Sequence, residues 1–265
     1  MANLHLNFRS DMLMRSVYPR VFLPDYNDWN DVPPPYRTLY FLHGYSGGAL
    51  ETATFTNFAL YAAVHGIAIV MIDGDNSFYV DDEQRNAYYS RYVGEEIVEV
   101  TRKLLPLSHR REDTFIAGIS MGGYGALQIA MKNPDRYAAV ASFSGGLDVA
   151  HMSVGQEADA VTPMEMKAVF GTENPKDLEG TEFDLYHVVD SAVKSGKQLP
   201  KMYVSCGTDD SLYGVHKDFC KFLKDKKVDF TEFEQEGMAH EWDFWDSEGK
   251  KLIDWLPVRK ELRRA

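Results

Sequence analysis

Short apolar segments alternate with helical patterns along the chain after Pro35, and this alternation constrains the fold more than any other feature. The segments are rich in β-branched and aromatic residues, and several are apolar throughout, as expected for strands that are covered on both faces. Strand–helix alternation predicts βαβ units and an α/β fold with a mainly parallel, twisted sheet and helices on both faces. The predicted strands are Thr38–Leu42, Ile67–Ile72, Thr114–Ile119, Ala138–Phe143, Lys201–Cys206 and Phe230–Glu234.

The helices between these strands are predicted from apolar periodicity and from residues that stop a helix. Gly66, Pro106 and the Asn133-Pro134 pair are such stop signals. The predicted helices are Phe55–His65, Gly94–Leu105, Gly122–Asn133, His216–Lys226 and one from about Trp242 to Trp255.

Two extended segments precede this region. Leu4–Phe8 and Met12–Leu23 predict an antiparallel hairpin with a turn near Ser10-Asp11. We expect the hairpin to form one edge of a mixed sheet. The turn-rich stretch Asp25–Pro35 separates it from the rest of the chain.

The alternation breaks between Gly145 and Pro200, a stretch that is too long for a bare loop. Thr162-Pro163-Met164-Glu165 is a capping box with proline at the first helical position, and it predicts a helix that ends at Gly171. A second helix is predicted over Phe183–Lys194. We interpret 145–200 as a small helical insertion over the carboxyl edge of the sheet, within a single domain that spans 1–265.

Composition restricts the partners and the compartment. Lys+Arg 28 against Asp+Glu 40 gives a net charge of −12, which would be repelled by nucleic acid and by an anionic membrane. The longest apolar run, Ile67–Ile72, is far too short to span a bilayer. Two cysteines and the lack of an apolar leader predict a cytoplasmic protein.

The pentapeptide Gly118-Ile119-Ser120-Met121-Gly122 has the pattern G-x-S-x-G. It follows a predicted strand and opens a predicted helix, which is the context of a nucleophile elbow. A sharp turn would expose the Ser120 hydroxyl above the sheet edge, and the helix N-terminus would turn the N–H of Met121 toward a developing oxyanion. The alternative is a serine that only caps the helix in a glycine-rich turn.

A nucleophilic serine needs a base, and the base needs an acid that orients it. His240 lies directly after a predicted strand and before a helix, at the edge of the sheet that carries Ser120. Asp209 and Asp210 follow another strand at that edge. Spacing does not choose between these two acids, and either could cap the next helix.

The segment from His43 to Gly48 leaves the first strand of the parallel region with small residues, and it suits a second oxyanion donor. The N–H of Tyr45 is the predicted donor. Phe78, Tyr79 and Trp242 lie on loops at the same edge and could line an acyl or aryl pocket, although most aromatic residues pack in cores.

No cofactor or metal is predicted. The sequence shows no His, Cys or carboxylate cluster with metal-ligand spacing and no glycine-rich phosphate loop. Cys206 is interpreted as a small buried hydrophobic residue, since no basic residue adjoins it.

These motifs together resemble the esterase D-like branch of the α/β-hydrolases, and the resemblance covers nearly the whole chain. The matching segments are Leu42-His43-Gly44, Asn76 to Tyr79, Arg111 to Asp113, Gly118 to Ala126, Cys206 to Asp210, and Gly237 to His240 with Trp242 and Trp245. The resemblance implies an α/β-hydrolase fold, a Ser-His-Asp triad and a serine carboxylesterase. It also supports Asp210, because the acid of this branch stands three residues after the glycine.

The branch contains tributyrin-esterase-like carboxylesterases, S-formylglutathione hydrolases, acetylxylan and feruloyl esterases, and mycolyltransferases. S-formylglutathione hydrolases usually have histidines where this chain has Ile119 and Tyr124. The resemblance is nearest to the tributyrin-esterase-like group, which implies a small-molecule substrate with a short acyl, aryl or sugar ester, and a homo-oligomer. Acyl transfer on the same triad and a non-catalytic binding protein are the alternatives.

Overall fold

The computed structural model describes residues 1–24, 32–155 and 161–257. Eight of its strands form one mixed sheet in the order β1-β4-β6-β5-β9-β10-β11-β12. The strands are β1 (Ala2–His5), β2 (Phe8–Ser10), β3 (Arg15–Val17), β4 (Arg20–Leu23), β5 (Arg37–Leu42), β6 (Ile67–Ile72), β7 (Asp81–Asp82), β8 (Ala87–Tyr88), β9 (Thr114–Ile119), β10 (Ala139–Phe143), β11 (Lys201–Gly207) and β12 (Phe230–Gln235).

The six predicted strands of the parallel region are confirmed, each within one residue at either end. In the spatial order of the main sheet, all neighbouring strands from β6 to β12 are parallel. By contrast, β4 pairs with β1 and with β6 in the antiparallel sense. Every residue of β5, β6 and β9 is buried. Their apolar side chains feed two separate cores, one on each face of the sheet.

The N-terminal prediction was partly wrong. The chain forms two antiparallel pairs instead of one hairpin, because β2 and β3 pair with each other in a small sheet of their own. Only β1 and β4 join the main sheet, as its edge. Of the predicted turn-rich stretch, 25–31 lies outside the described residues.

The helices follow the predicted order, but several bounds differ, and the helix predicted over 216–226 already begins at Tyr213. The predicted helix over 55–65 begins only at Phe58, because Thr56 is extended and the N–H of Asn57 donates to the carboxylate of Asp246, and a separate helix that was not predicted covers Ala49–Phe55. The predicted helix over 94–105 begins earlier and contains a π-turn at Tyr92–Glu96. The helices are α1 (Ala49–Phe55), α2 (Phe58–Val64), α3 (Tyr89–Arg91), α4 (Ile97–Leu104), α5 (Met121–Lys132), α6 (Pro163–Phe170), α7 (Leu185–Lys194), α8 (Tyr213–Asp225) and α9 (Trp242–Trp255).

The segment predicted as an insertion contains α6 and α7. The capping box is confirmed, since the Thr162 hydroxyl accepts from the N–H of Glu165 and the Glu165 carboxylate accepts from the N–H of Thr162. Helix α6 ends at Gly171, whose φ of +78° favours glycine. Helix α7 packs on α5, the helix that follows the predicted elbow. In the described ranges, no helix is long and apolar enough to cross a membrane.

Candidate active site

Ser120 lies on a strained turn between β9 and α5. Its φ of +54° and ψ of −116° lie outside the regions that non-glycine residues ordinarily occupy. The turn requires glycine on both sides of Ser120, because a side chain at either flanking position would clash with the backbone. A Cβ on Gly118 would lie 2.2 Å from the carbonyl oxygen of Gly122, and one on Gly122 would lie 2.4 Å from that of Leu42. The geometry is that of a nucleophile elbow.

The backbone of Ser120 is fixed on both sides. Its N–H donates to the carbonyl of Phe143 at 2.8 Å, and its carbonyl accepts from Gly123 at 2.9 Å and from Gly146 at 3.2 Å. The side chain is half-buried. These bonds hold the hydroxyl at the carboxyl edge of the sheet while leaving it accessible.

Asp210 and His240 are brought together at the same edge. Nδ1 of His240 lies 2.9 Å from Oδ2 of Asp210, and the side chains are 33% and 0% exposed, respectively. The loops that carry them brace each other, since the N–H of Asp209 donates to the carbonyl of Met238 at 3.0 Å. The Asp209 residue itself is exposed. Of the two candidate acids, the geometry therefore favours Asp210.

The surroundings of Asp210 keep it ionised. Burial alone would raise its pKa, but the hydrogen bond and charge of His240, then the Ser144 side chain and the N–H of Leu212, hold that pKa below its ordinary value. An ionised carboxylate accepts the Nδ1 proton of His240, which leaves Nε2 as the proton acceptor. No hydrogen bond joins the Ser120 hydroxyl to His240 in the described part of the chain. Such bonds often tighten only when substrate binds.

The loop after β5 lies against the elbow. A Cβ on Gly44 would lie 3.4 Å from the Cβ of Ser120, so the backbone here passes beside the nucleophile. Within the described ranges, the N–H groups of Tyr45 and Met121 donate to no protein acceptor. Two free N–H groups near a serine hydroxyl are what an oxyanion hole requires.

The imidazole of His43 holds this loop in place, a contact that the sequence analysis did not assign. Its Nε2 accepts from the N–H of Gly74 at 2.9 Å, so its proton is on Nδ1, which donates to the carbonyl of Gly44 at 2.7 Å. Burial lowers the pKa of His43 and keeps the ring neutral. The only sign of this role in the sequence is that His43-Gly44 directly follows a buried strand.

One of the three aromatic residues predicted to line a pocket does not do so. Tyr79 is 0% exposed, and its hydroxyl donates to the carbonyl of His43 at 3.0 Å beneath the loop. The prediction for Tyr79 was wrong because its ring fills the space left by Gly74 and Gly125. Phe78 packs on Tyr45 and lies nearly buried.

Trp242, the third of these residues, is half-buried at the start of α9. It contacts Phe55 and Trp245, with ring centroids 5.3 and 5.0 Å away. A substrate role for Phe78 and Trp242 stays a prediction.

Three side chains of types that can bind a metal ion lie close together, away from this edge of the sheet. The spacing of these residues in the sequence did not predict such a cluster. Ligand atoms of His216, Cys220 and Glu232 lie within 4.8 Å of one another, because α8 packs beside β12. The Lys224 ammonium is paired with the Glu232 carboxylate, and Lys217 lies 3.5 Å from it. The lysines supply the positive charge that a cation would bring, so we interpret the group as a structural ion pair.

Comparisons with known proteins agree with this geometry. The Esterase family pattern matches residues 10–250. An acetyl esterase from Caldicellulosiruptor saccharolyticus is 33% identical over 265 residues, covering 97% of this chain and 98% of that protein.

Solved structures give the same result. The fluorophosphonate-binding serine hydrolase FphF of Staphylococcus aureus superposes with a TM-score of 0.85 at 29% identity, covering 96% of this chain and 98% of the other. The S-formylglutathione hydrolase FrmB of the same organism gives 0.83 at 30% identity with the same coverage. This chain belongs to the Esterase family, in its esterase D-like branch, and is a carboxylic ester hydrolase with an α/β-hydrolase fold.

Proposed function

We propose that the protein is a serine carboxylesterase that hydrolyses short-chain acyl esters through an acyl-enzyme intermediate. The observation that carries this proposal is the strained Ser120 elbow at the same sheet edge as the Asp210–His240 pair. Ser120 is the nucleophile, His240 the general base and Asp210 the acid that orients it.

The reaction has two halves. His240 removes the proton from Ser120 as the hydroxyl attacks the ester carbonyl, and the N–H groups of Tyr45 and Met121 stabilise the oxyanion, each contributing about 3 kcal/mol. The protonated imidazole then gives its proton to the leaving alcohol. Water, activated by the same imidazole, attacks the acyl-enzyme and releases the acid.

The packing of side chains around the loop after β5, which holds Tyr45, favours a substrate with a short acyl group. Phe78 packs on Tyr45, Tyr124 and Phe170 with ring centroids 5.3 to 6.0 Å away, and it is only 4% exposed. The hydroxyl of Tyr45 donates to Glu165 at 2.7 Å, which ties α6 to the loop. A long acyl chain on this side would have to displace packed aromatic rings. The acetyl esterase relative points in the same direction.

The experiment is a comparison of wild type with Ser120→Ala on p-nitrophenyl esters from acetate to octanoate. We expect acetate or butyrate to give the highest kcat/KM, and Ser120→Ala to lose at least about a thousandfold in kcat. Ser191→Ala, which alters an exposed serine on α7, is the matched control and should behave as wild type. A fluorophosphonate probe should label wild type and fail to label Ser120→Ala.

The same two proteins, assayed also with S-formylglutathione, with feruloyl esters and with an added acceptor alcohol, separate the rival activities. Near-wild-type turnover by Ser120→Ala would contradict the mechanism. A preference for S-formylglutathione or feruloyl esters would retain the mechanism and replace the substrate class. Transfer of acetyl to an added alcohol in preference to water would make the protein an acyltransferase.

A further inference from the structure

Tyr45 links two parts of the molecule that are distant in sequence. Its backbone N–H is a proposed oxyanion donor, and its side-chain hydroxyl donates to Oε1 of Glu165 on α6 at 2.7 Å. Tyr45 is half-buried, and Glu165 lies 120 residues further along the chain. A contact between the helical insertion and the loop after β5 thus ends on the residue whose backbone would bind the oxyanion.

The Glu165 carboxylate divides its two oxygens between two partners. Oε2 accepts from the N–H and from the hydroxyl of Thr162, at 2.8 and 2.7 Å, within the capping box of α6. Oε1 is left for Tyr45. The hydrogen bonds from Tyr45 and Thr162 lower the pKa of Glu165, so this acceptor is ionised near neutral pH. A hydrogen bond to an ionised acceptor is about twice as strong as one between neutral groups.

Hydrogen bonds also fix the backbone on both sides of Tyr45. The carbonyl of Gly44 accepts from Nδ1 of His43 at 2.7 Å. The N–H of Ser46 donates to the side-chain oxygen of Asn76 at 2.8 Å. Because the peptide bond between Gly44 and Tyr45 is trans, the carbonyl of the first and the N–H of the second point in opposite directions. The bond on the carbonyl therefore sets the direction of the proposed donor.

The side chain of Tyr45 restrains the rest of this residue. Its ring packs on Phe78, with ring centroids 5.9 Å apart, and the hydroxyl at the far end of the ring is bound by Glu165. Phe78 is 4% exposed, and its N–H donates to Sδ of Met121, with 3.3 Å between nitrogen and sulfur. The Tyr45 ring thus lies between α6 and a residue that is bonded to the second proposed donor.

We propose that Glu165 is a positioning residue, which holds the N–H of Tyr45 in the oxyanion hole by accepting the hydroxyl of the same tyrosine. The inference rests on the proposed esterase mechanism and gives the helical insertion a part in the chemical step. Without this acceptor the far end of the ring is free, and the backbone N–H spends part of its time turned away from the oxyanion. Both halves of the reaction pass through an oxyanion, so both slow.

Other roles for the same hydrogen bond predict different kinetics. Loss of an interaction that acts only in the transition state lowers kcat and kcat/KM equally, whereas loss of one that acts only in substrate binding raises KM. A bond that only stabilises the fold would lower the unfolding temperature and leave both kinetic constants unchanged.

The first variant is Tyr45→Phe, which removes the hydroxyl and keeps the ring that packs on Phe78. We expect kcat for p-nitrophenyl acetate to fall about tenfold, less than the loss caused by deleting an oxyanion donor, with KM within about twofold. Tyr61→Phe is the matched control, since Tyr61 on α2 donates to the carboxylate of Asp246 at 2.8 Å. It should leave both constants unchanged.

Variants of Glu165 test the other end of the bond. Glu165→Met removes the acceptor and should lose as much kcat as Tyr45→Phe. Glu165→Gln should retain most of the activity, because an amide whose oxygen accepts from Thr162 presents its NH2 group to the Tyr45 hydroxyl, which can also accept. The double variant Tyr45→Phe/Glu165→Met should lose no more than either single variant, since both remove the same bond.

The proposal is overturned if Tyr45→Phe keeps the wild-type kcat, or if its loss appears in KM alone. It is also overturned if the two single losses multiply in the double variant, if Glu165→Gln loses as much as Glu165→Met, or if Tyr61→Phe loses as much as Tyr45→Phe. If Glu165→Met does not fold without its part of the capping box, Tyr45→Phe and Glu165→Gln decide the question. Failure of the esterase mechanism itself is distinguishable, because it would show as turnover by Ser120→Ala or as an inactive wild type.

Discussion

Four histidines lie within 4 Å of a carboxylate in the described part of the chain, and His240 and His216 make the most instructive comparison, since we propose only the first of these two as catalytic. His240 lies 2.9 Å from Asp210 with a third of its side chain exposed, at the carboxyl edge of the sheet. His216 on α8 lies 3.8 Å from Glu234 on β12, and its side chain is 1% exposed. Distance to a carboxylate therefore does not by itself mark a catalytic histidine.

The difference lies in what surrounds each carboxylate. Asp210 meets neutral donors and an imidazole, and no lysine or arginine is paired with it in the described part of the chain. Glu234 is bonded by Lys217 at 2.7 Å and by the Tyr213 hydroxyl at 2.9 Å, so its charge is already compensated. A neighbouring cation offsets the attraction of a carboxylate for an imidazolium that forms during a reaction, so the paired carboxylate stabilises it less than an unpaired one does.

The largest expected effect comes from removing the negative charge of each carboxylate in turn. Asp210→Asn should lower kcat for p-nitrophenyl acetate by about ten-thousandfold, because the imidazole loses its orienting acceptor and its counter-charge. Glu234→Gln should leave kcat within about twofold. Steady-state kinetics on both variants, with matched circular dichroism spectra, provides the measurement.

Asp209→Asn is the control for this prediction, since its exposed residue neighbours Asp210 on the same loop. It should remain active. A greater loss in Asp209→Asn than in Asp210→Asn would reassign the acid.

Local patterns in the sequence were sufficient to predict the sheet, the elbow and the order of the proposed triad. Strand β9, the flanking glycines and the start of α5 are contiguous, and sterics act over those few residues. The choice of Asp210 over Asp209 came from a family resemblance, because burial of one carboxylate and exposure of its neighbour depend on how two loops brace each other.

The contacts that the sequence did not reveal come together only through the order of the strands. Ser144 lies beside Ser205 because β10 pairs with β11, and the Trp245 indole donates to the Ser144 hydroxyl from α9, a hundred residues later. The opposite error has the same origin. Tyr79 follows a strand at the correct edge, but its ring turns inward beneath the loop after β5, where its hydroxyl donates to the carbonyl of His43. The position of a residue along the chain does not show such a change of direction.

A smaller effect distinguishes the two histidines by pH. Burial lowers the pKa of His216, so below the ordinary value of about 6.5 the unfolded chain binds a proton that the folded protein does not. His216 thus destabilises the protein as the pH falls through that value. His216→Gln should reduce the loss of unfolding free energy between pH 7.5 and 5 while kcat stays within about twofold.

The measurement is urea unfolding across that pH range, with His5→Gln, an exposed histidine, as the control. Some acid sensitivity should persist, because burial also lowers the pKa of His43. An unchanged pH dependence in His216→Gln would show that this buried imidazole is not a source of the acid sensitivity.

The smallest expected effect concerns zinc at the His216, Cys220 and Glu232 group. Donor types alone suit zinc, but Lys224 and Lys217 already neutralise Glu232, so binding would require their displacement. We expect no rise in unfolding temperature when zinc is added to wild type. Replacing both lysines by methionine removes the competing charges, and zinc should then raise the unfolding temperature as a ligand of the folded state does. A zinc-dependent rise in wild type would mean that the lysines do not exclude the metal, and that the second histidine belongs to a metal site.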